Sequence, residues 1–497
     1  MANTEYSLKS YIELMKNEIG TESLLVIKHI LAGKGQPVDL ALMYIDGLVD
    51  KNFIDRDILQ PLMLHIDEEI NGKENLADYL AKRYIALSNT TVTSNINEAI
   101  INIKRGNSIL FINNQPNFII VDTKGGEYRA IEESTVEIAA RAPKESFVEN
   151  LGTNMSMIRR SIRDKNLVFE RFTIGQRSQS DIILIYLKDV ADDDVINNIR
   201  ERLSSIDADR ANSSGIVEKF IEDNTLSIFP QIYSTERVDK IVSRILEGRA
   251  AILIDGTPMA LSAPAIFMEF FHSVEDYYDR FIVTNAFRII RFIAIFIVIT
   301  AAPAYLVIIK FNTELIPVNF LIPIINSRMD IALSPFLEIF LMELIIEFLR
   351  EGGLRLPSKI AQTLSVVGGI IVGDMAVESK FVSPTTLFII GISVVASFVT
   401  PNYEMSLSIR FIRFPMLILA NTLGVLGIAL GWFSLLLHLF SLESFGVPYF
   451  AINKYRDLKD SIVRAPFWKM DNRPDSVPHK DDIRQKRNRG WKWGKKK

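Results

Sequence analysis

Long apolar runs confined to one half of the chain constrain the fold more than any other feature. Phe292–Ile309, FIAIFIVITAAPAYLVII, is eighteen residues without a charged side chain, and Phe381–Thr400 is twenty. A spanning helix needs roughly 20 apolar residues, so both are expected to cross a bilayer. Phe414–Leu437 is longer still, and Ile360–Val377 qualifies despite Gln362 and Asp374. Ile331–Leu349 is ambiguous because it carries Glu338, Glu343 and Glu347. Up to about Asp279 the charges are scattered as in soluble protein, so the net charge of −3 averages two unlike halves.

Lys and Arg near the ends of these runs set their orientation. Arg280, Arg288, Arg291, Arg350, Arg355, Lys359, Arg410 and Arg413 fall on one side if the glutamate-bearing segment spans, against Lys310, Arg328 and Lys380 on the other. The first half is therefore expected on the cytoplasmic side. Its N-terminus, MANTEYSLKSYIELMKNEIG, lacks the apolar core of a signal peptide. The basic C-terminal stretch RQKRNRGWKWGKKK also belongs in the cytoplasm, whereas five crossings would leave it outside. A double pass or re-entrant fold within 414–452, a stretch containing Gly424, Gly427, Gly431, Gly446 and Pro448, removes the conflict.

The chain has no cysteine, which excludes disulfides, thiolate metal sites and cysteine nucleophiles. Its five histidines, at 29, 65, 272, 438 and 479, show no i, i+4 metal pair. Neither a nucleophile–base arrangement nor a phosphate-cradling loop is present, Gly33–Gly35 being too short, so no enzyme, cofactor, metal or nucleic-acid partner is expected.

The soluble half contains a repeat. At a shift of 142 residues, GNSILFINNQPNFII from Gly106 lies on GRAAILIDGTPMALS from Gly248, matching Ile112 with Ile254 and Pro116 with Pro258. The same shift pairs Asp39 with Asp181, Tyr44 with Tyr186 and Asp50 with Asp192, and places Ile100 and Ile103 on Val242 and Ile245. Each copy reads as strand, turn, strand (Leu40–Ile45; Ile182–Leu187), acidic loop, helix, a second helix ending in glycine, and a β-hairpin. The expected class is multidomain: two similar α/β lobes from tandem duplication, then a polytopic all-α membrane domain. The boundaries are 1–140 for the first lobe, 141–166 for a linker helix, 167–280 for the second lobe, 281–452 for the membrane domain and 453–497 for a basic cytoplasmic tail. Arg159, Arg160 and Arg163 end the linker helix, either as favourable helix-end charge or as a dock for anionic headgroups.

Three candidate groups follow. Gly369 with Gly373, and Gly427 with Gly431, form G-x-x-x-G pairs that permit close helix packing. Gln362, Val366, Gly369 and Gly373 share one helical stripe ending near Asp374, which makes that segment the pore or gating candidate. For Asp374 the alternative is a terminal place at the membrane surface; Glu343 and Glu347 read equally as an interfacial helix or a pore lining. The third group comprises the hairpin turn Asp255, Gly256 and Pro258 with Glu275, Asp276, Tyr277 and Arg280, just before the first apolar run. It is expected to couple lobe to membrane, with Asp276 or Glu275 pairing with Arg288 or Arg291, and with Tyr277, Tyr278 and Phe281 at headgroup level.

Several blocks carry a family resemblance: EGRAAILIDGTP, FFHSVEDYYDR, GGLRLPSKIAQTLSVVGGIIVGDMAV, FVSPTT, ASFVTPNYEMS, RFPMLILANTLGVLGI, DLKDSIVRAPFW and FVENLGTNMSMIRRSIRD. Together they resemble the A subunits of nutrient germinant receptors, the GerA family of spore-forming bacteria, over nearly the whole chain. Ser262, where an apolar residue is expected, and the tail beyond Pro474 depart from the pattern. The resemblance implies a multi-pass subunit in the spore inner membrane, acting with a transporter-like B subunit and a lipoprotein C subunit. It implies homo-oligomeric rings, pentamers among them, around a ligand-gated cation pathway. The alternative is a non-conducting scaffold that transmits the signal.

Overall fold

The computed structural model describes residues 6–19, 24–73, 75–125, 137, 141–356, 369, 373–451, 457 and 460–485. Two five-stranded antiparallel sheets form the first half. The first comprises β1 (Leu25–Ala32), β2 (Val38–Ile45), β3 (Thr90–Thr93), β4 (Ser108–Ile112) and β5 (Phe118–Val121), in the order β1-β2-β4-β5-β3. The second comprises β6 (Leu167–Ile174), β7 (Ser180–Leu187), β8 (Tyr233–Thr235), β9 (Ala250–Ile254) and β10 (Ala260–Ala263), in the order β6-β7-β9-β10-β8. The registers coincide at the repeat spacing. Leu40 opposes Ile112 as Ile182 opposes Ile254, and Phe118 opposes Thr93 as Ala260 opposes Thr235.

Helices cover both faces of each sheet, so the central strands are buried throughout: SILFI in β4 and AAILI in β9 have no half-exposed residue. Such strands lose the alternating pattern and read as continuous apolar runs. In the first lobe α1 (Leu8–Ile19) and α3 (Ile96–Ile103) pack on one face, and residues 54–85, including α2 (Leu76–Arg83), on the other. In the second, α4 (Leu151–Ser161) and α7 (Val238–Leu246) take one face, and α5 (Asp193–Ser204) with α6 (Ser214–Ile221) the other. Asp50 and Asp192 cap the helical segments that follow β2 and β7; Asp192 Oδ1 accepts from the Asp194 and Val195 amides. Gly106 and Gly248, at φ +90° and +98°, turn the chain out of α3 and α7 into the next strand.

Two expectations change. The short third strand of each lobe, β3 and β8, went unread: four and three residues give no period to detect. The linker helix is shorter than expected after Pro143, because Asn150 accepts from the Thr153 amide and starts it at Leu151. It stands one repeat spacing after α1 and packs in the second lobe's core, with Met155 and Ile158 against Phe169 and Ile185. Arg159 is buried, donating to the Ile19 and Asp164 carbonyls, and Arg160 pairs with Glu145, so these two side chains bind protein.

The second half is helical. Its helices among the described residues include α8 (Phe281–Lys310), α9 (Val318–Arg328), α10 (Pro335–Leu354), α11 (Pro384–Ser397), α12 (Tyr403–Leu423) and α13 (Val425–Ser441). Two of them, α8 and α12, are long and apolar enough to cross a membrane. α8 starts eleven residues before Phe292, so Arg288 and Arg291 lie inside it rather than flanking it. The long run from Phe414 is divided between two helices at Gly424, φ +62°, where the chain reverses from α12 into α13. At the end far from the lobes Lys310 Nζ bonds Asn421, Glu338 accepts from the Ser383 amide, and Lys380 meets Asp330. At the lobe end the Ser408 hydroxyl donates to the Ile228 carbonyl, and His438 Nε2 lies 3.1 Å from Ser227 Oγ.

Residues 443–448 turn back into the second lobe, where Phe445 and Val447 join its core and the Ser444 hydroxyl donates to the Gln231 carbonyl. Residues 460–485 then lie against the same lobe. His479 forms an isolated antiparallel bridge with Ala191, the Lys480 amide donates to the Val190 carbonyl, and Lys480 Nζ reaches Asp193 at 2.6 Å.

Candidate coupling site

The acidic stretch after β10 meets the start of α8 in a buried ionic cluster. Asp276 is 2% exposed, and its Oδ2 accepts from Arg288 Nε at 3.1 Å, Arg291 Nη1 at 2.6 Å and the Ser273 amide at 3.2 Å. Arg288, one turn before Arg291 and 1% exposed, also donates Nη1 to the Asp460 carbonyl and to Asp460 Oδ1. The Tyr277 hydroxyl donates to Asp460 Oδ2 at 3.1 Å, Arg464 donates to the Asp276 and Asp279 carbonyls, and Asn285 exchanges bonds with the Arg464 backbone. Three separate chain segments thus meet around Asp276: the exit from the second lobe, the start of α8, whose arginines hold its carboxylate, and the tail, which reaches its carbonyl through Arg464 and Arg288 through Asp460. A charge pair this deeply buried holds only while both members and their extra hydrogen bonds are present.

The second lobe contributes an adjoining cluster. Arg244 donates to Ser262 Oγ and Glu269 Oε2, both at 2.9 Å, and Arg249 pairs with Glu247 and Glu269. Burial lowers both guanidinium pKa values to about 10. Ser262 therefore stands in a buried strand as the acceptor for Arg244. Burial also holds the His272 ring well below its usual range, with Arg288 adding to the effect.

The Asp460 carboxyl is pushed up to about 6 from 3.8 by burial, against the opposing pull of Arg288. Between those values the folded chain retains a proton that the unfolded chain has released. Its stabilising contribution is thus complete below pH ~4 and lost as pH rises through ~6, a range worth on the order of 1–3 kcal/mol. Asp460→Asn should flatten the pH dependence of thermal unfolding between ~4 and ~6 while the transition stays cooperative. An unchanged slope would show that Asp460 titrates normally.

The expected coupling residues divide. Asp276 and Tyr277 are central to the cluster, Tyr277 with its hydroxyl turned inward to the tail rather than outward to headgroups. Glu275 opens the short helix Glu275–Tyr278 and Arg280 precedes α8 as its exposed N-cap. The hairpin turn lies elsewhere. Asp255 accepts from the Leu151 amide and Gly256 donates to the Glu149 carbonyl, so this turn, with Pro258, sits at the opposite end of the hairpin from the exit toward α8. It braces α4; a hairpin's turn and its open ends cannot both face the helical half.

Of the pore candidates, Gln362 and Val366 lie outside the described residues. Gly369 and Asp374 are exposed on the bundle, and Gly373 is buried, with Leu387 nearby. Gly427 and Gly431 face α12: a Cβ at the first would collide with the Leu419 carbonyl, at the second with Met416 Sδ. Glu343 and Glu347 are taken up by arginines of α12, Glu343 with Arg413 at 2.5 Å, and Glu347 with Arg413 at 2.7 Å and Arg410 at 3.1 Å. Glu338 pairs with Arg328 at 2.7 Å. These acids lie inside the bundle, compensated helix to helix rather than exposed on a surface helix. Among the described residues no group of three or more His, Asp or Glu could hold a metal ion.

The family model described as Bacillus/Clostridium GerA spore germination protein matches residues 13–476. Spore germination protein KA of Bacillus subtilis (strain 168) is 38% identical over 482 residues, covering 96% of this chain and 88% of that one. Spore germination protein B1 of the same organism is 34% identical, with 96% and 99% covered, and spore germination protein GerLA of Bacillus cereus 31% identical, with 96% and 97% covered. The crystal structure of the N-terminal domain of the A subunit of the Bacillus megaterium spore germinant receptor GerK3 is 34% identical, covers 53% of this chain and 96% of its own, and superposes with a TM-score of 0.42.

Proposed function

The chain belongs to the GerA spore germination protein family, and from that premise we propose that it is the A subunit of a nutrient germinant receptor, relaying germinant binding to an oligomeric cation pathway in the spore inner membrane. The observation that carries this reading is the Asp276–Arg288–Arg291 cluster, which ties the second lobe, the start of α8 and the tail into one rigid joint. A displacement of the lobe is thereby passed to the bundle as a tilt of α8. We further propose that the lobes arose by tandem duplication, supported by their common registers, and that α8, the segment 360–377, α10, α11, α12 and α13 make six crossings. An even number keeps lobes and tail on the cytoplasmic face, as their mutual contact requires.

With Glu343, Glu347 and Glu338 neutralised within the bundle, the pathway falls to the segment bearing Gln362, Val366, Gly369, Gly373 and Asp374, brought together between copies in a ring. B and C subunits complete the receptor. The test is potassium flux from liposomes holding the chain with its B and C subunits, before and after nutrient. Val366→Ala should raise basal flux at least tenfold, and Asp374→Asn should change cation preference without changing oligomer size. Unchanged flux and preference in both variants would favour the non-conducting scaffold.

A further inference from the structure

The loop at residues 222–230, between α6 and β8, reaches the helical half at two points. The Ile228 carbonyl accepts from Ser408, five residues into α12, and Ser227 Oγ lies 3.1 Å from His438 Nε2, three residues before the end of α13. Buried Phe229 places its ring 6.0 Å from that of His438. These contacts set the depth of the loop. At a rise of 1.5 Å per residue, the 21 residues of α12 extend about 31 Å and the 17 of α13 about 25 Å, against a hydrocarbon core of about 30 Å. As crossings, neither helix has length to spare. Ser408, about 7.5 Å in from one helix end, and His438, about 4.5 Å in from the other, then lie at the edge of the hydrocarbon, and the loop lies there with them.

At that level the loop turns an apolar side chain outward. Leu226 is 92% exposed, and Phe220 and Ile228, before and after it in sequence, are exposed too. A lone exposed leucine needs no explanation. Three observations set this one apart. Leu407 and Phe411, which flank Ser408, and Leu437, next to His438, are also exposed, so the apolar surface of the two helices runs on into the loop. The loop also satisfies its own backbone: the Asn224 amide donates to Gln231 Oε1, the Leu226 amide to Asn224 Oδ1, the Ser227 amide to the Asn224 carbonyl, and the Phe229 amide to Ser227 Oγ. Backbone that enters an apolar medium requires such internal partners. Finally, the first lobe, which makes no such approach, keeps the equivalent residues to itself. One repeat spacing earlier, Tyr84 stands at the place of Leu226 and donates its hydroxyl to Glu68 at 2.7 Å, and Ile85 belongs to that lobe's core.

We propose that this loop inserts Leu226 into the bilayer leaflet on the lobe side, beside α12 and α13, so that lipid as well as protein holds the second lobe against the bundle. The inference rests on the reading of α12 and α13 as crossings.

The full chain in phosphatidylcholine nanodiscs tests it, since a chain without cysteine accepts one environment-sensitive fluorophore at a chosen thiol. At Leu226→Cys, quenching by aqueous iodide should be roughly threefold weaker than at Leu31→Cys on the first lobe. Phosphatidylcholine bearing a nitroxide near its headgroup should dim position 226 about twofold and leave position 31 unchanged. Thr225→Cys, which removes no apolar side chain, should follow position 226. Phe433→Cys, exposed midway along α13, should be dimmed about twofold by a nitroxide deep in the acyl chain. If position 433 is dimmed while 225 and 226 are as open to iodide as 31, the insertion is overturned and the crossing stands. Protection from iodide without dimming by the shallow nitroxide would mean that protein, such as a second copy, covers the loop, and overturns it equally. An undimmed position 433 would overturn the crossing by α13, and the insertion with it.

Discussion

Asp276→Ala should lower the thermal stability of the full chain by about 3–5 kcal/mol, the cost of leaving buried charge without its partner. The side chain accepts from both Arg288 and Arg291, and Arg288 is too deeply buried to recruit water in its place. Residues 460–485 should then become open to protease, since Arg288 and Arg464 of the same cluster also hold the tail. Asp276→Leu combined with Arg288→Leu and Arg291→Leu should recover part of the loss, because the three charges are deleted together rather than left without partners. A thermal midpoint unchanged by Asp276→Ala would mean that Asp460 alone suffices for the arginines and that the joint is not built as described.

The absence of native cysteine makes the second expectation an all-or-none measurement, since a single introduced thiol is the only reactive one. Leu31→Cys on the first lobe and Ile483→Cys on the tail, both well exposed, should react with an impermeant maleimide from the same side of oriented vesicles. Glu314→Cys, in the turn after α8, should react only from the other side. Labelling of positions 31 and 483 from opposite sides would refute an even number of crossings. It would also be incompatible with the tail lying on the second lobe.

How much of this was legible follows from what each feature leaves in the sequence. The repeat was visible because both lobes keep the same turns, at Gly106 and Gly248 and at Asp50 and Asp192, which backbone geometry demands. β3 and β8 were not, being edge strands of four and three residues. Asp276 was read as a partner of Arg288 or Arg291, since acidic and basic residues flanking a helix start attract each other. Arg244, Arg249, Glu269, Asp460 and Arg464 were missed because, Glu247 beside Arg249 apart, their partners lie 18 to 188 residues away and no local period marks them. One signal was available for Arg244: it falls beside Ile241 and Ile245 on the buried face of α7, where a lone cation needs a counter-charge. Glu343 and Glu347 were ambiguous for the same reason, their arginines being carried by another helix. The hairpin turn was misplaced because nearness in sequence to the first span was taken for nearness in space.

The bridge that the tail makes with the second lobe also sets a schedule for synthesis. Lys480 and Asp193 are separated by 287 residues, and everything between them, including the whole helical half, leaves the ribosome first. At roughly 5 to 20 residues per second that delay is about 15 to 60 s, during which the first lobe can close with its own chain and the second cannot. A product cut short between Ala263 and Val477 would have every strand of both five-stranded sheets and still leave the backbone at Val190–Ala191 unpaired, the kind of surface that quality-control proteases and chaperones engage. The second lobe is thus completed by a segment made after the whole helical half.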